Sequence, residues 1–236
     1  MKKHLLSLLV GSLAFTATAA EPGFISLTNG QDLTGWRGNP KLWSVQGGAI
    51  VGVNPADAPV KHNTFLVYTN DVFDDFELRF SYKLEGGNSG VQYRSRVMSE
   101  GEDGPIVGGY QADFEAGQTY SGILYEERGR GILAQRGQIT KLVADPADPE
   151  KHKVEVVGSL GQSADIQAVI KQDDWNEYVV IANGNQFTHL INGRVTAIVI
   201  DEHPAKSRKS GVLAFQVHAG PPMKLSVKDV RIRPIK

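Results

Sequence analysis

Polar side chains able to donate, accept or hold protons recur at alternate positions of three segments. In chain order these side chains are Gln92, Arg94 and Arg96, then Gln111, Asp113 and Glu115, and finally Gln216 and His218. Side chains two apart on a strand point to the same face, so each segment presents one polar row. A single row fits an ordinary solvated strand face, but three rows rich in amides, carboxylates and imidazole favour a binding or catalytic groove.

Seven residues form the candidate site. Asp113, Glu115 and His218 are the candidate acids and bases, because carboxylates and imidazole exchange protons near neutral pH. The candidates for substrate hydrogen bonding are Asn88, Arg94, Gln111 and Gln216. Glu126 and Glu127, followed by Arg128, could be active acids, but the sequence favours a surface ion pair. His189 shares a strand face with apolar residues and is predicted to be structural.

Short alternating or apolar segments separated by glycine and asparagine turns predict the elements that position these side chains. Phe76 to Leu84 alternates over nine positions, and Asn183-Gly184-Asn185 and Asn192-Gly193 mark hairpin turns. A helical turn is predicted only near residues 165–170. Residues 99–109 and 145–150 are predicted to be irregular loops. This pattern predicts one all-β sandwich or barrel.

Composition excludes several classes of protein. The chain has 236 residues with 25 basic and 26 acidic side chains, and this balance argues against a nucleic-acid binder. It has no cysteine, so disulfides, thiolate metal sites and a cysteine nucleophile are excluded. The dinucleotide-binding, phosphate-loop, zinc-protease and serine-hydrolase motifs are absent from the sequence.

The first twenty residues predict a secretory signal peptide. Lys2 and Lys3 precede an apolar stretch from Leu5 to Phe15, and small residues at 17–20 offer a cleavage site. The expected mature domain is 21–236, exported to the periplasm or secreted. An uncleaved N-terminal anchor is the alternative, but the apolar stretch is short for a membrane span. No membrane association is expected after cleavage.

Seven ordered motifs carry a resemblance to a known family. They are F-I-S-L-T-N-G-Q-D-L-T-G-W at 24–36, W-S-V-Q-G-G-A-I at 43–50, D-F-E-L-R at 75–79, G-N-S-G-V at 87–91, D-W-N-E-Y at 174–178, H-L-I-N-G at 189–193 and G-V-L-A-F-Q-V-H at 211–218. In this order they resemble the 3-keto-disaccharide hydrolase family over essentially the whole mature chain.

The resemblance implies a concanavalin A-like jelly-roll sandwich of two antiparallel sheets. It also implies cleavage of glycosides whose C3 hydroxyl has been oxidised to a ketone by a separate sugar 3-oxidoreductase. The C3 ketone acidifies the C2 proton, so a base can start β-elimination of the C1 aglycone, and added water would complete a net hydrolysis. Such a site needs a base, an acid and a group that stabilises the C3 oxygen, and the sequence does not choose between Arg94 and a divalent metal for the last role.

Two other functions stay open from the sequence. A conventional glucanase needs two carboxylates flanking the scissile bond, and laminarinase-like enzymes carry them in an E-x-D-x-E strand. Gln111-Ala112-Asp113-Phe114-Glu115 has an amide at the first position, which argues against double displacement. A non-catalytic glycan-binding module is the second alternative, since the same fold serves lectins.

Overall fold

The computed structural model describes residues 21–235, so the predicted signal peptide lies outside the described residues. The strands are β1 (Ile25–Ser26), β2 (Trp36–Arg37), β3 (Trp43–Gln46), β4 (Ala49–Asn54), β5 (Thr64–Tyr68), β6 (Phe76–Glu85), β7 (Asn88–Gly101), β8 (Gly104–Glu115), β9 (Leu124–Glu127), β10 (Gly131–Ala134), β11 (Gln138–Asp145), β12 (Asp148–Ser159), β13 (Asn176–Asn183), β14 (Gln186–Ile191), β15 (Arg194–Asp201), β16 (Val212–Val217) and β17 (Met223–Pro234). One helix, α1 (Ser163–Gln167), lies between β12 and β13. Among these residues no helix is long and apolar enough to cross a membrane.

Two stacked sheets confirm the predicted jelly-roll sandwich. The ten-stranded sheet runs β12-β11-β15-β14-β13-β6-β17-β4-β3, with β1 added beside β17. The seven-stranded sheet runs β10-β9-β8-β7-β16-β5-β2. Pairing is antiparallel except between β11 and β15, which run parallel, so the first sheet is mixed rather than purely antiparallel.

A large apolar core fills the space between the sheets, and a smaller one lies outside it. Inward residues of β6, β8, β13 and β16, such as Phe80, Phe114, Tyr178 and Phe215, are fully buried in the main core. The smaller cluster comprises Phe65, Val67, Val107 and Ala214. Because Phe65 and Leu66 are adjacent in β5 yet belong to different clusters, the smaller one covers the outer face of the seven-stranded sheet.

The distal half of the β7–β8 hairpin covers that outer face. In the sheet order β7 and β16 separate β8 from β5. Thr64 of β5 nevertheless donates from Oγ1 to the carbonyl oxygen of Asp103 at the hairpin tip, at 2.9 Å. The hairpin therefore bends over β16, and register shifts after Tyr93 and Val97 mark the bend.

The two segments predicted to be irregular loops are mostly strand, so that prediction was wrong. Residues 99–109 continue the β7–β8 hairpin, whose pairing extends to Gly101 opposite Gly104. Residues 145–150 contain only a tight turn, because Asp145 pairs with Asp148 between β11 and β12. Strands at a sheet edge or on a folded hairpin need no regular apolar face, so their sequence can be acidic and rich in glycine. Such strands lack the alternation from which a strand is predicted.

Candidate functional site

A cavity of about 580 Å³ opens on the outer face of the seven-stranded sheet, beside the folded hairpin. Its lining comes from β7, β8, β9 and β10, from the end of β16 and from the loops around them. The lining residues are Asn63, Gly87, Asn88, Gln111, Asp113, Glu115, Tyr120, Ile123, Tyr125, Glu127, Ile132, His218 and Pro221. Five of the seven candidate site residues therefore surround one cavity: Asn88, Gln111, Asp113, Glu115 and His218.

Strand register explains why these side chains meet. Asp113 pairs with Gly90 across β7 and β8, while Asn88 pairs with Glu115. A Cβ at position 90 would lie 2.6 Å from Cγ of Gln111, so only glycine leaves space for this amide over the floor of the cavity. The G-N-S-G-V motif thus provides both a turn into β7 and the space that the site requires.

Asp113 is the most perturbed acid of the cavity. The residue is only 6% exposed, and burial raises the pKa of its carboxyl to about 8. The amides of Gln111 and Asn88 oppose this rise, whereas the negative charges of Glu127 and Glu115 add to it. The carboxyl therefore holds a proton at neutral pH and can donate a hydrogen bond into the cavity.

A buried amide network fixes the orientation of Gln111. Its Oε1 accepts from Nε2 of Gln92 at 2.6 Å and from Nε2 of Gln216 at 3.2 Å. Oγ of Ser95 donates to Oε1 of Gln92 at 2.7 Å and extends the network. Because Oε1 of Gln111 accepts these two hydrogen bonds, the amide orientation is fixed and its Nε2 donates to Oδ1 of Asp113 at 2.7 Å. Gln216, a predicted substrate ligand, thus lies fully buried behind Gln111 rather than on the cavity wall.

Glu115 supports a loop at the mouth of the cavity. Its Oε1 accepts the backbone N–H of Tyr120 at 2.7 Å and also that of Thr119. From the other side, the guanidinium of Arg136 donates to the carbonyl oxygens of Gln118 and Ser121 at 2.7 and 2.8 Å. The loop is therefore held at both sides and presents the exposed ring of Tyr120 to the cavity.

His218 lines the cavity from the position directly after β16. Its backbone is held in place, because its carbonyl oxygen accepts from Nδ2 of Asn54 at 3.1 Å and the next N–H, of Ala219, donates to Oδ1 of Asn63 at 2.9 Å. Within residues 21–235 no protein group hydrogen-bonds its imidazole ring. The side chain lines the cavity, so no described protein partner competes with a ligand for the ring.

Arg94 does not lie at the cavity, which corrects the predicted polar row on β7. A register shift after Tyr93 and a positive φ of 45° at Arg94 turn this side chain to the inner face. There it is fully buried and donates to the carboxylate of Asp75 at 2.6 Å and to the carbonyl oxygen of Asp74 at 2.7 Å. Its bonding capacity ties β7 to the loop before β6, so it is not available to a ligand.

Glu127 is the cavity residue that the surface-ion-pair interpretation missed. Gln111 pairs with Tyr125 across β8 and β9, so Tyr125 and Glu127 share the face of Gln111. Both carboxylate oxygens of Glu127 accept from Nδ2 of Asn63, at 3.2 and 3.3 Å. Glu126, on the other face, is also buried and bonds Arg130. Alternation along β9 was the available signal, but it could not show that this strand pairs with β8 beside Gln111.

His189 is structural, as predicted. Its imidazole lies in the core and contacts the hydroxyls of Tyr93 and Tyr178, at 3.0 and 3.3 Å. Burial lowers its pKa to about 3, so the ring stays neutral at physiological pH.

The donor set of the cavity does not fit a metal site. Among the described residues no group of three or more His, Asp or Glu side chains is arranged to hold a metal ion. Asp113 bonds Gln111, one oxygen of Glu115 bonds the loop, and both oxygens of Glu127 bond Asn63. We therefore derive no step through a metal ion.

The fold and cavity together define a jelly-roll sandwich with an acidic site on the outer face of one sheet. The profile of the 3-keto-alpha-glucoside-1,2-lyase-like domain matches residues 23–233, and the chain belongs to this family. The resemblance stated from the sequence motifs is thereby confirmed.

Solved structures share the fold at low sequence identity. A protein of Parabacteroides distasonis, provisionally named a glycosyl hydrolase, is 19% identical with a TM-score of 0.54, over 91% of this chain and 94% of that one. A Bacillus subtilis protein of unknown function with a galectin-like fold is 14% identical with a TM-score of 0.54, over 85% and 90%. A carbohydrate-binding module of Bacillus subtilis is 12% identical with a TM-score of 0.51, over 84% and 95%. No curated protein matches the chain in sequence.

Proposed function

We propose that this protein cleaves 3-keto-glycosides by removing the C2 proton and eliminating the C1 aglycone. The observation that carries the proposal is a single cavity lined by both the buried carboxyl of Asp113, which Gln111 holds in place, and the imidazole of His218. Elimination next to a ketone needs such a pair: one group that takes a proton from carbon, and one that stabilises the negative charge developing on oxygen.

In this reaction His218 takes the C2 proton and Asp113 donates a hydrogen bond to the C3 oxygen as the enediolate forms. The electron pair of the C2–H bond first forms the C2–C3 double bond of the enediolate. When the C3 carbonyl re-forms, this pair becomes the C1–C2 double bond and the C1–O bond breaks. The imidazolium of His218 returns its proton to the departing oxygen. Gln111 orients the Asp113 carboxyl, and Asn88 supports it from β7. Water added across the double bond would complete a net hydrolysis.

We also propose that the substrate is oxidised before it reaches this protein and that the protein acts outside the cytoplasm. A separate sugar 3-oxidoreductase supplies the ketone, because the reaction begins from an oxidised glucosyl unit. The signal sequence at residues 1–20 directs the chain to the periplasm or the exterior. N-terminal sequencing of the protein recovered from its cell envelope and culture medium would test export, and a chain that retains Met1 in the cytoplasm would contradict it.

The test of activity compares a 3-keto-glucoside with its unoxidised parent, with and without chelator, and follows the products by mass. We expect cleavage of the keto substrate alone, insensitive to chelator, with Asp113→Asn and His218→Ala each lowering kcat by about 100-fold or more. Thr69→Ala, at an exposed site outside the cavity, is the matched control.

Three outcomes would contradict the proposal. Cleavage of the parent alone would indicate a conventional glycosidase. Binding of intact glycan without turnover of either compound would indicate a binding module. Full turnover by both cavity variants would place the chemistry elsewhere on the molecule.

A further inference from the structure

The outer edge of the ten-stranded sheet carries exposed apolar side chains. β12 pairs with β11 on one side, and no described strand pairs with its other side. Val154 and Val156 are 37% and 60% exposed. Each lies opposite a buried residue of β11, Leu142 and Thr140 respectively, so both valines project from the inner face where the second sheet no longer covers it.

One short segment of this edge is regular. Register shifts interrupt the β11–β12 pairing on either side of the stretch from His152 to Val156, and Val154 is its central residue. Lys153 and Glu155 flank Val154 and point to the opposite face, where their charged groups lie 2.8 Å apart. The regular segment therefore has an apolar centre with one positive and one negative neighbour.

We propose that β12 is a self-association surface on which a second copy of this chain pairs antiparallel about a twofold axis at Val154. In this register Val154 meets Val154 of the second copy, and His152 lies opposite Val156. Lys153 lies opposite Glu155, and the symmetry repeats this pair on the other side of the axis. Every charge of the segment then faces its opposite, and the paired valines are removed from water.

Neighbouring registers lose this complementarity. A shift of the axis to residue 153 or to residue 155 places two lysines or two glutamates directly opposite each other. An axis midway between Val154 and either neighbouring residue places Lys153 opposite a valine. An isolated lysine on an edge strand prevents pairing, but a glutamate two residues later on the same face makes the strand complementary to itself.

The interface is short, so the expected dimer is weak. A pairing of this length buries less than the ~1,200 Å² at which specific interfaces begin to be stable. We therefore expect monomer and dimer to exchange with concentration, and a continuous sheet to extend through both copies.

Sedimentation equilibrium over two decades of protein concentration tests the proposal on the purified chain. We expect a monomer–dimer equilibrium in which Lys153→Glu alone and Glu155→Lys alone each weaken dimerisation at least ~10-fold, because each creates two like-charged pairs. An equimolar mixture of the two variants should form a heterodimer, because the two acidic side chains of one copy would then face the two basic side chains of the other. The double variant K153E/E155K should recover wild-type dimerisation.

Lys83→Glu on β6, far from this edge, controls for a general effect of net charge, and far-ultraviolet circular dichroism confirms folding of each variant. A wild-type chain that stays monomeric throughout would overturn the proposal. So would a dimer that both single variants leave unchanged, since another surface would then form it. Neither result depends on turnover of a glycoside, so this proposal and the proposed function fail independently.

Discussion

The proton on Asp113 makes the stability of the chain depend on pH. The pKa of this carboxyl is about 8 in the folded chain, against an ordinary value of 3.8. Between these values the folded chain holds a proton that the unfolded chain releases, so the free energy of unfolding falls as pH rises. This group alone contributes a slope of up to ~1.4 kcal/mol per pH unit.

Asp113→Asn removes that titration while its Oδ1 still accepts from Gln111. We therefore expect the variant to lose less stability than the wild type between about pH 5 and pH 8. Urea unfolding of both proteins at these two pH values measures the difference, and all other titrating groups cancel in the comparison. Parallel pH dependence of the two proteins would show that Asp113 is ionised in the fold.

Substitutions of Glu115 can distinguish a role in supporting the loop from a role in catalysis. Its Oε1 accepts two backbone N–H groups of the loop that carries Tyr120, and a glutamine oxygen can accept the same bonds. We expect Glu115→Gln to keep kcat within about threefold, and Glu115→Ala to raise KM because the loop loses its anchor. Steady-state kinetics on the keto substrate distinguishes these effects. A kcat loss of about 100-fold in Glu115→Gln would instead make Glu115 the general base.

Sequence alternation predicted several of the side chains that surround the cavity, but it did not predict which groups they would contact. Asn88, Gln111, Asp113, Glu115 and His218 follow from strand faces and from one strand end, which are local properties. Arg94 does not share the face predicted for it, because a β-bulge turns its side chain to the inner face of the sheet. A bulge depends on pairing with the neighbouring strand rather than on the local sequence pattern. The catalytic roles of all these residues remain predictions.

The bend of the β7–β8 hairpin requires a glycine at position 109. Gly109 has a φ of 146°, and a Cβ there would lie 2.3 Å from Oγ of Ser95. Gly109→Ala combines backbone strain with a steric clash, so we expect it to destabilise the fold by about 2–4 kcal/mol. Because Gly109 pairs with Glu127, we also expect turnover to fall.

Gly131→Ala is the matched control for this bend. Its φ of 78° is also positive, but a Cβ there would meet no atom within 4 Å, so only backbone strain of about 1–2 kcal/mol is expected. Urea unfolding of the two variants separates strain from clash. Equal destabilisation by both would show that the bend does not depend on close approach to Ser95.

Elements at the centre of the sheets were predictable because their turns are marked in the sequence. Phe76 to Leu84 alternates and coincides with most of β6, and the two Asn-Gly turns bound β14. β11 and β12 were missed because β12 is an edge strand rich in charge, whose alternation is limited to residues 153–156 and which has no buried face. The folded hairpin tip was missed because its covering of β16 is a tertiary contact between distant segments.

At the scale of the whole molecule, a buried ionic cluster joins the two sheets. Asp201 of β15 accepts from the hydroxyl of Tyr110 at 2.5 Å and from Nη2 of Arg130 at 2.6 Å. Arg130 also bonds Glu126, and all four side chains are almost fully buried. The pKa of Tyr110 rises to about 12, through burial first and the charge of Asp201 second, so its hydroxyl remains a donor.

Asp201→Asn should therefore destabilise the sandwich by about 3–5 kcal/mol, because it leaves the buried charge of Arg130 with one partner fewer. Glu202→Gln is the matched control: this neighbouring carboxylate pairs with Lys141 at 2.7 Å on the exposed surface, where an ion pair contributes under about 1 kcal/mol. Urea unfolding gives the two free energies, and turnover at low temperature should stay near the wild-type value in both, since neither residue lines the cavity.

If Asp201→Asn unfolds at the same urea concentration as Glu202→Gln, the apolar core alone holds the sheets together and the cluster adds no net stability. If turnover falls while stability is kept, the cluster acts on the cavity through Tyr110, whose strand also carries Gln111 and Asp113.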